Sequence, residues 1–368
     1  MIFIPGFTGR KWPVIFWCLA SLFLLVYASL TLFILEKDSW LWLNLHAIEN
    51  GRIAWILLIL LMIWPAWRNL RFGAWLFLVP LCASMLLSWP LISSGRMHQQ
   101  LLKKSSIPEG FSFYQWLTAY SDQAECYSYS SPRNSNLQSL VYIPKQVDKT
   151  TAIVFLLHGG GFYQGAPNWM HGWASALSEQ GIAVASLAYP LAPEATFPMQ
   201  SDEITLSIQD LKIEFSKRQI DTSSIFIAGS SAGGTLALTT ALINSEIKFN
   251  GVIALYPITD FSKPFESTTD MQKITTVYKG SNSLNAISPI HQIRQDLPPL
   301  LLIHGSKDLI VPVKQSIEFV EAWNIQSNSV QFVELPWATH SFEYPMYGPS
   351  GQLLKHLSVD FIKRNSSN

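Results

Sequence analysis

Charge is scarce in this 368-residue chain, at 14% Asp, Glu, Lys and Arg, against about a quarter in an ordinary soluble domain. The shortage is concentrated at the start. Residues 1–95 hold nine charges (Arg10, Lys11, Glu36, Lys37, Asp38, Glu49, Arg52, Arg68 and Arg71) but nine of the 14 tryptophans. The later residues have an ordinary charge density, so two unlike parts follow one another. A formal net charge of zero excludes a strongly basic footprint, and nucleic acid is not an expected partner. Three cysteines, two of them (Cys18 and Cys82) inside apolar runs with Cys126 alone in the polar part, exclude a disulfide-built scaffold. There is no H-E-x-x-H, no paired Cys-x-x-Cys and no dinucleotide fingerprint, so no metal or cofactor is expected. No internal repeat or low-complexity tract is present, and nothing points to an oligomeric state.

What residues 1–95 do have is long apolar runs. Trp12 to Leu35 and Phe72 to Gly95 are each 24 residues without a charge. As helix each covers roughly 36 Å, enough for a hydrocarbon core of about 30 Å. The first is too long for the apolar region of a signal peptide. Pro80 and Pro90 lie inside the second, as neighbouring helices allow in a membrane. Residues 53–67 (IAWILLILLMIWPAW) are shorter, roughly 22 Å as helix. They span if Arg52 and Arg68 snorkel outward, or else form a re-entrant or buried helix. Trp12, Trp40, Trp42, Trp67 and Trp75 stand near the ends of these runs, as interfacial belts require. Residues 1–95 are therefore expected to be an α-helical membrane region of about three spans, with membrane lipids as partners. Three spans put Arg10, Lys11, Arg68 and Arg71 on one side and Lys37, Arg52, Arg96, Lys103 and Lys104 on the other. The first helix usually sets orientation, and the loop with Lys37 also carries Glu36, Asp38 and Glu49. Both points favour a cytoplasmic N-terminus and an extracytoplasmic remainder; two spans would reverse this.

Residues 96–125, with Ser105–Gly110 as a loop, are expected to be a linker with one short helix that could form part of a cap. Residues 126–368 alternate short apolar runs with helical segments. The runs 152–158, 182–188, 224–229, 251–256, 299–304 and 329–335 are expected strands. Residues 199–217, 231–243, 313–325 and 350–363 have helical spacing. This alternation implies a mostly parallel sheet with helices on both faces.

Four motifs carry chemistry. Gly229-Ser230-Ser231-Ala232-Gly233-Gly234 follows a strand and opens a helix, the context of a G-x-S-x-G nucleophile elbow. The turn is strained, and side chains flanking the serine would collide with neighbouring strands. The following helix N-terminus offers free N–H groups and a positive dipole end. His158-Gly159-Gly160-Gly161 ends the strand 152–157. It lacks the G-K-[ST] ending of a P-loop, and its HGGG form is that of an oxyanion-hole loop, in which glycines let backbone N–H groups approach a substrate oxygen. His304-Gly305-Ser306-Lys307-Asp308 ends another strand, where a carboxylate can hold an imidazole in one tautomer. His340, in Trp337-Ala338-Thr339-His340-Ser341-Phe342, follows the last strand. The order Ser231, Asp308, His340 is that of the α/β-hydrolases. Asp260 is the rival acid on an earlier strand end.

With these motifs in place, residues 135–365 resemble the HGGG-containing branch of the α/β-hydrolase superfamily, near the bacterial hormone-sensitive-lipase-like esterases. Tyr189-Pro190-Leu191-Ala192-Pro193-Glu194 with Phe197-Pro198 is similar to that family's Y-R-L-A-P-E…F-P segment, and GSSAGG to its G-D-S-A-G-G. Pro190 stands for the usual arginine and Ser230 for the usual aspartate. Only 36 residues (261–296) are available for a cap between nucleophile and acid.

The resemblance implies an α/β-hydrolase fold and a serine carboxylesterase acting on small-molecule or lipid esters of short or medium acyl chain. Ser231 would attack the ester carbonyl, His340 take and return its proton, and Asp308 orient His340. The N–H groups of Gly160, Gly161 and Ala232 would hold the oxyanion. His158, His304, Tyr189 and Asp202 are expected to be structural, and His171 and His291 have no assignable role. Two alternatives stay open: an acyltransferase using the same triad, and a catalytically idle membrane-bound binding protein.

Overall fold

The computed structural model describes residues 12–29, 38–67, 75–102, 110–119, 123–148, 151–244, 246–263 and 271–366. The expectations for Arg10, Lys11, residues 30–37, Arg68, residues 71–74, 103–109 and 264–270 lie outside them.

The apolar runs are helical: α1 (Trp12–Ser29), α3 (Arg52–Trp67) and α4 (Trp75–Leu102), the last running through Pro80 and Pro90. Leu24, Ala28, Ala54, Leu58, Ala83 and Leu87 form their common core. α1 and α3 run antiparallel. Trp17 Nε1 donates to Leu61 O at 2.9 Å near one end, and Tyr27 bonds His46, just ahead of α3, at 2.6 Å near the other. By length and composition one helix among the described residues could cross a membrane, at Leu78–Leu101; α1 and α3 contribute shorter apolar stretches, Trp17–Ser29 and Arg52–Met62. Length alone thus does not carry the expected three spans.

Two boundaries also differ. Residues around Glu49 are not a loop but a helix, α2 (Asp38–Asn50), and α4 continues seven residues into the expected linker. The short helix of that linker is α5 (Phe113–Thr118), which is N-capped by Ser112, whose hydroxyl accepts from Gln115 N.

The sheet has eight strands: β1 (Cys126–Ser131), β2 (Asn134–Tyr142), β3 (Ile153–Leu157), β4 (Ala183–Leu187), β5 (Ile225–Ser230), β6 (Gly251–Leu255), β7 (Leu300–Gly305) and β8 (Val330–Leu335). Their order is β1-β2-β4-β3-β5-β6-β7-β8. β1 pairs antiparallel with β2, and β2 with β4; all other pairings are parallel. β3 to β8 match the six expected strands. β3, IVFLL, is buried throughout, as a parallel strand covered on both faces should be. Its alternate residues feed two cores. Phe155 and Leu157 join Ile227 and Leu236; Val154 and Leu156 join Phe226 and Ile253.

The crossovers supply α6 (His171–Ser178), α7 (Met199–Lys217), α8 (Ala232–Ile243), α9 (Met271–Lys279), α10 (Leu284–Ile287) and α11 (Lys314–Ile325), and α12 (Pro349–Asn365) follows β8. α7 and α8 cover the first core and α6 and α12 the second. The four chemistry-bearing motifs follow β3, β5, β7 and β8, all parallel, so they gather at one edge of the sheet, where open α/β sheets bind ligands.

Candidate active site

β5 ends at Ser230, and Ser231 makes the turn into α8 with φ 53° and ψ −120°. Few L residues adopt a positive φ, so the turn is strained. Its neighbours must be small: a Cβ on Gly233 would run into the carbonyls of Leu157 and His158 at the end of β3. The tight approach of α8 to β3 holds the Ser231 side chain beside the loop Gly159–Gly161.

His340 reaches this turn from the loop after β8. Its Nε2 lies 3.0 Å from Ser231 Oγ and its Nδ1 2.7 Å from Asp308 Oδ2. A carboxylate can only accept, so Nδ1 carries the proton and Nε2 is left to accept from the serine hydroxyl. Asp308 Oδ1 accepts from the amides of Ile310 and Val311, at 2.9 Å each. Burial alone would push the Asp308 carboxyl up. The charge of His340 and hydrogen bonds from His304 and His340 outweigh it and hold the group well below the usual carboxylate range. His304 Nε2 donates to Val311 O at 2.8 Å and lies 3.4 Å from Asp308 Oδ2, while its Nδ1 accepts from Ser316 Oγ at 2.7 Å. It braces the acid's loop.

The rival carboxylate is occupied elsewhere. Asp260 accepts from Ser262 N at 2.8 Å and lies 3.6 Å from Lys263 and 3.9 Å from His291. It is not bonded to His340.

Gly160 and Gly161 have φ of +118° and +61°, values open to glycine, and a Cβ on Gly160 would meet the carbonyl of Gln164. With Ala232 they line the same cavity as Ser231 and His340, of about 290 Å³. The Ala232 N–H opens α8 and has no helical acceptor behind it. His158 anchors this loop: its Nδ1 lies 2.7 Å from Gly159 O, its carbonyl accepts from Tyr189 Oη at 2.7 Å, and the two rings stack 4.3 Å apart. Burial pulls the His158 imidazole down to about 4.

The cavity has two unlike walls. Ile258, Met271, Ile274, Ile310 and Val311 line one side and pack into the core under α8. Met170 and Tyr256 belong to the opposite core, and with them stand Ser230, Glu343 and Tyr344. Sequence reading missed Tyr256 and Glu343. The Tyr256 ring lies 4.3 Å from that of His340, and its hydroxyl donates to Glu343. Their one sequence signal is position: Tyr256 directly follows β6, and Glu343 stands three residues beyond His340. Among the described residues no three His, Cys, Asp or Glu side chains cluster as metal ligands would.

The BD-FAE family model matches residues 140–323, half of the chain. The chain belongs to the BD-FAE family. Gly160, Gly161, Ser231, Ala232 and Asp308 fall inside the matched BD-FAE stretch, whereas His340 and the four N-terminal helices fall outside it. The chain is similar to esterase LipC of Mycobacterium tuberculosis, 28% identical over 220 residues covering 53% of this chain and 54% of LipC. It thus spans about half the length of the curated relatives it matches. Among solved structures it is similar in fold to a hormone-sensitive lipase from a metagenome library (TM-score 0.58, 19% identity, 73% of this chain and 97% of that one). It is similar also to Thermogutta terrifontis esterase 2 phosphonylated by sarin (TM-score 0.55, 21% identity, 64% and 92%). These likenesses carry the α/β-hydrolase fold.

Proposed function

We propose that the chain is a membrane-anchored serine carboxylic-ester hydrolase working through an acyl-serine intermediate. The observation that carries this reading is the unbroken hydrogen-bond chain Ser231–His340–Asp308 at a cavity also lined by Gly160, Gly161 and Ala232. Relatives named as esterases support it.

In this reading Ser231 Oγ attacks the ester carbonyl carbon and its proton passes to His340 Nε2. The N–H groups of Gly160, Gly161 and Ala232 hold the resulting oxyanion; loss of one such donor typically costs about 10²–10³ in rate. The carbon–oxygen bond to the alcohol then breaks, and His340 returns the proton to the departing oxygen. Water repeats the sequence on the acyl-serine and frees the acid. Asp308 holds His340 in the tautomer each step needs. The aliphatic wall of Ile258, Met271 and Ile274 suits the acyl chain, and a cavity of about 290 Å³ suits a short or medium one.

The membrane half rests on side-chain distribution. In α1, α3 and α4 the residues turned inward include Ser21, Ala28, Ala54, Ala83 and Ser84, while Leu22, Phe23, Ile53, Leu60, Met85 and Ile92 are exposed. Small residues at helix contacts and large apolar ones outward are the pattern of helices packed in lipid. Three ends gather beside the catalytic part: the end of α1 at His46, the start of α3 next to α2, and the end of α4 on Pro349 and His356. If all three helices cross, the N-terminus lies on the opposite face. With Arg10 and Lys11 inside, the catalytic domain is extracytoplasmic.

Turnover of p-nitrophenyl acetate by purified protein, with and without an acceptor alcohol, tests the activity. Hydrolysis without acceptor, lost in Ser231→Ala, is the expected result. Turnover only on acceptor addition would replace the hydrolase with a transferase, and none in either condition would remove both.

A further inference from the structure

Glu343 is a buried carboxylate, 5% exposed, on the loop that carries His340. It accepts a hydrogen bond from Tyr256 Oη, and Ser230, immediately before Ser231, lines the same cavity. Tyr256 is itself fully buried, and its ring tilts 51° against the His340 ring. Both nitrogens of that ring are already taken, by Asp308 and Ser231, so Tyr256 meets His340 elsewhere on its surface. Other titratable groups around the imidazole are Asp308 and, behind it, His304 at the end of β7, and Tyr344 beside Glu343.

We propose that Glu343 is a positioning residue of the site: tethered through Tyr256, it holds the His340 ring in place and sets a second carboxylate beside it that favours the imidazolium formed during catalysis. This rests on the hydrolase reading given above.

The physical argument is one of reciprocity. Burial is the largest influence and holds the Glu343 carboxyl above its ordinary range, and the Tyr256 hydroxyl and the charge of His340 pull it part of the way back. A charge on His340 that favours ionised Glu343 is favoured by it to the same extent. Asp308 alone cannot supply this, because its contact is confined to Nδ1, whereas the Tyr256–Glu343 pair constrains the ring away from that bond.

The experiment is the pH profile of kcat/KM for p-nitrophenyl acetate in the full chain, for the parent, Glu343→Gln and Tyr256→Phe. Glu343→Gln keeps hydrogen bonding and removes the charge. The expected result is a kcat roughly tenfold lower and an acidic limb moved to lower pH by about half a unit or more. Tyr256→Phe keeps the ring and cuts the tether, and should move the limb the same way. A purely structural role would lower kcat and leave the limb in place, and that result overturns the proposal.

If the parent itself turns nothing over, the hydrolase reading fails, and the same question passes to the pH dependence of diethylpyrocarbonate modification at His340, scored by mass spectrometry. The reagent attacks the uncharged imidazole. A midpoint lowered in Glu343→Gln supports the proposal, and an unchanged midpoint overturns it.

Discussion

Glu49 on α2 and Ser350 at the start of α12, 301 residues apart, are joined twice: the Glu49 carboxylate accepts from the Ser350 amide at 3.1 Å and from its hydroxyl. The acid stands at a helix N-terminus, where negative charge is favoured, yet it is completely buried. Around it Trp116 Nε1 donates to Glu49 O at 3.1 Å, Tyr347 bonds Asn50, and Arg52 lies 4.6 Å over the Tyr347 ring. His98 and His356 meet at 3.0 Å nearby. The apolar helices and the catalytic part are thereby one packed unit at this seam, ten residues from His340.

The seam should be pH-dependent. Burial pushes the Glu49 carboxyl up to about 8, against the pull of its two bonds from Ser350. A folded-state value above the unfolded one means that the fold holds a proton the open chain has released. The contribution is therefore complete below the ordinary glutamate range, declines as pH rises, and is lost above about 8. The thermal midpoint of the parent should fall between pH 6 and pH 9 more steeply than that of Glu49→Gln. Parallel slopes would show that Glu49 is not the titrating group.

Asp308→Asn should cripple turnover, by about 10⁴ in kcat if the serine-protease precedent holds, while Asp260→Asn leaves it nearly intact. An asparagine in place of Asp308 would present an amide donor where His340 Nδ1 needs an acceptor, whereas Asp260 serves Ser262, Lys263 and His291. Steady-state kinetics of the two variants settles the choice, and the opposite ranking would assign the acid to Asp260.

Substrate preference should fall off with acyl length. Each buried methylene is worth about 0.8 kcal/mol while there is room for it, and the cavity is about 290 Å³. In a series of p-nitrophenyl esters kcat/KM should peak at short or medium chains. A value still rising past about twelve carbons would mean a longer acyl channel than the one described.

The chemistry-bearing residues were legible in the sequence because each sits in a contiguous motif at a strand end: the elbow around Ser231, the glycines after His158, the acid three residues beyond Gly305. Parallel strands such as 153–157 announce themselves as unbroken apolar runs. The β1–β2 hairpin does not. Its strands, CYSYSS and NSNLQSLVY, lie at the sheet edge and are largely polar, with half-exposed Tyr127 and Tyr129 turned toward the first core. Glu49 read as a loop charge because its partner is 301 residues away. Glu343 belongs to no motif, and it gains its meaning from Tyr256, which directly follows β6. Charge-free runs do not mark where helices begin and end, as α4 shows by continuing to Leu102, so run length alone does not decide the number of spans.

Attachment and sidedness are tested together in cells. Alkaline carbonate should leave the protein in the membrane pellet, since apolar helices of this kind insert far more firmly than a lipid chain. Protease added to intact spheroplasts should remove a C-terminal epitope. An epitope protected until lysis would place the catalytic part inside and imply that one of the three helices does not cross.

In the proposed reaction Ser231 is a nucleophile activated by His340. Intact-mass and peptide analysis after incubation with a fluorophosphonate reads this directly. One phosphonyl adduct per chain, located on Ser231 and absent from both Ser231→Ala and His340→Ala, is the outcome this account predicts. No adduct on the folded parent protein, or an adduct that persists at another residue in Ser231→Ala, would contradict it.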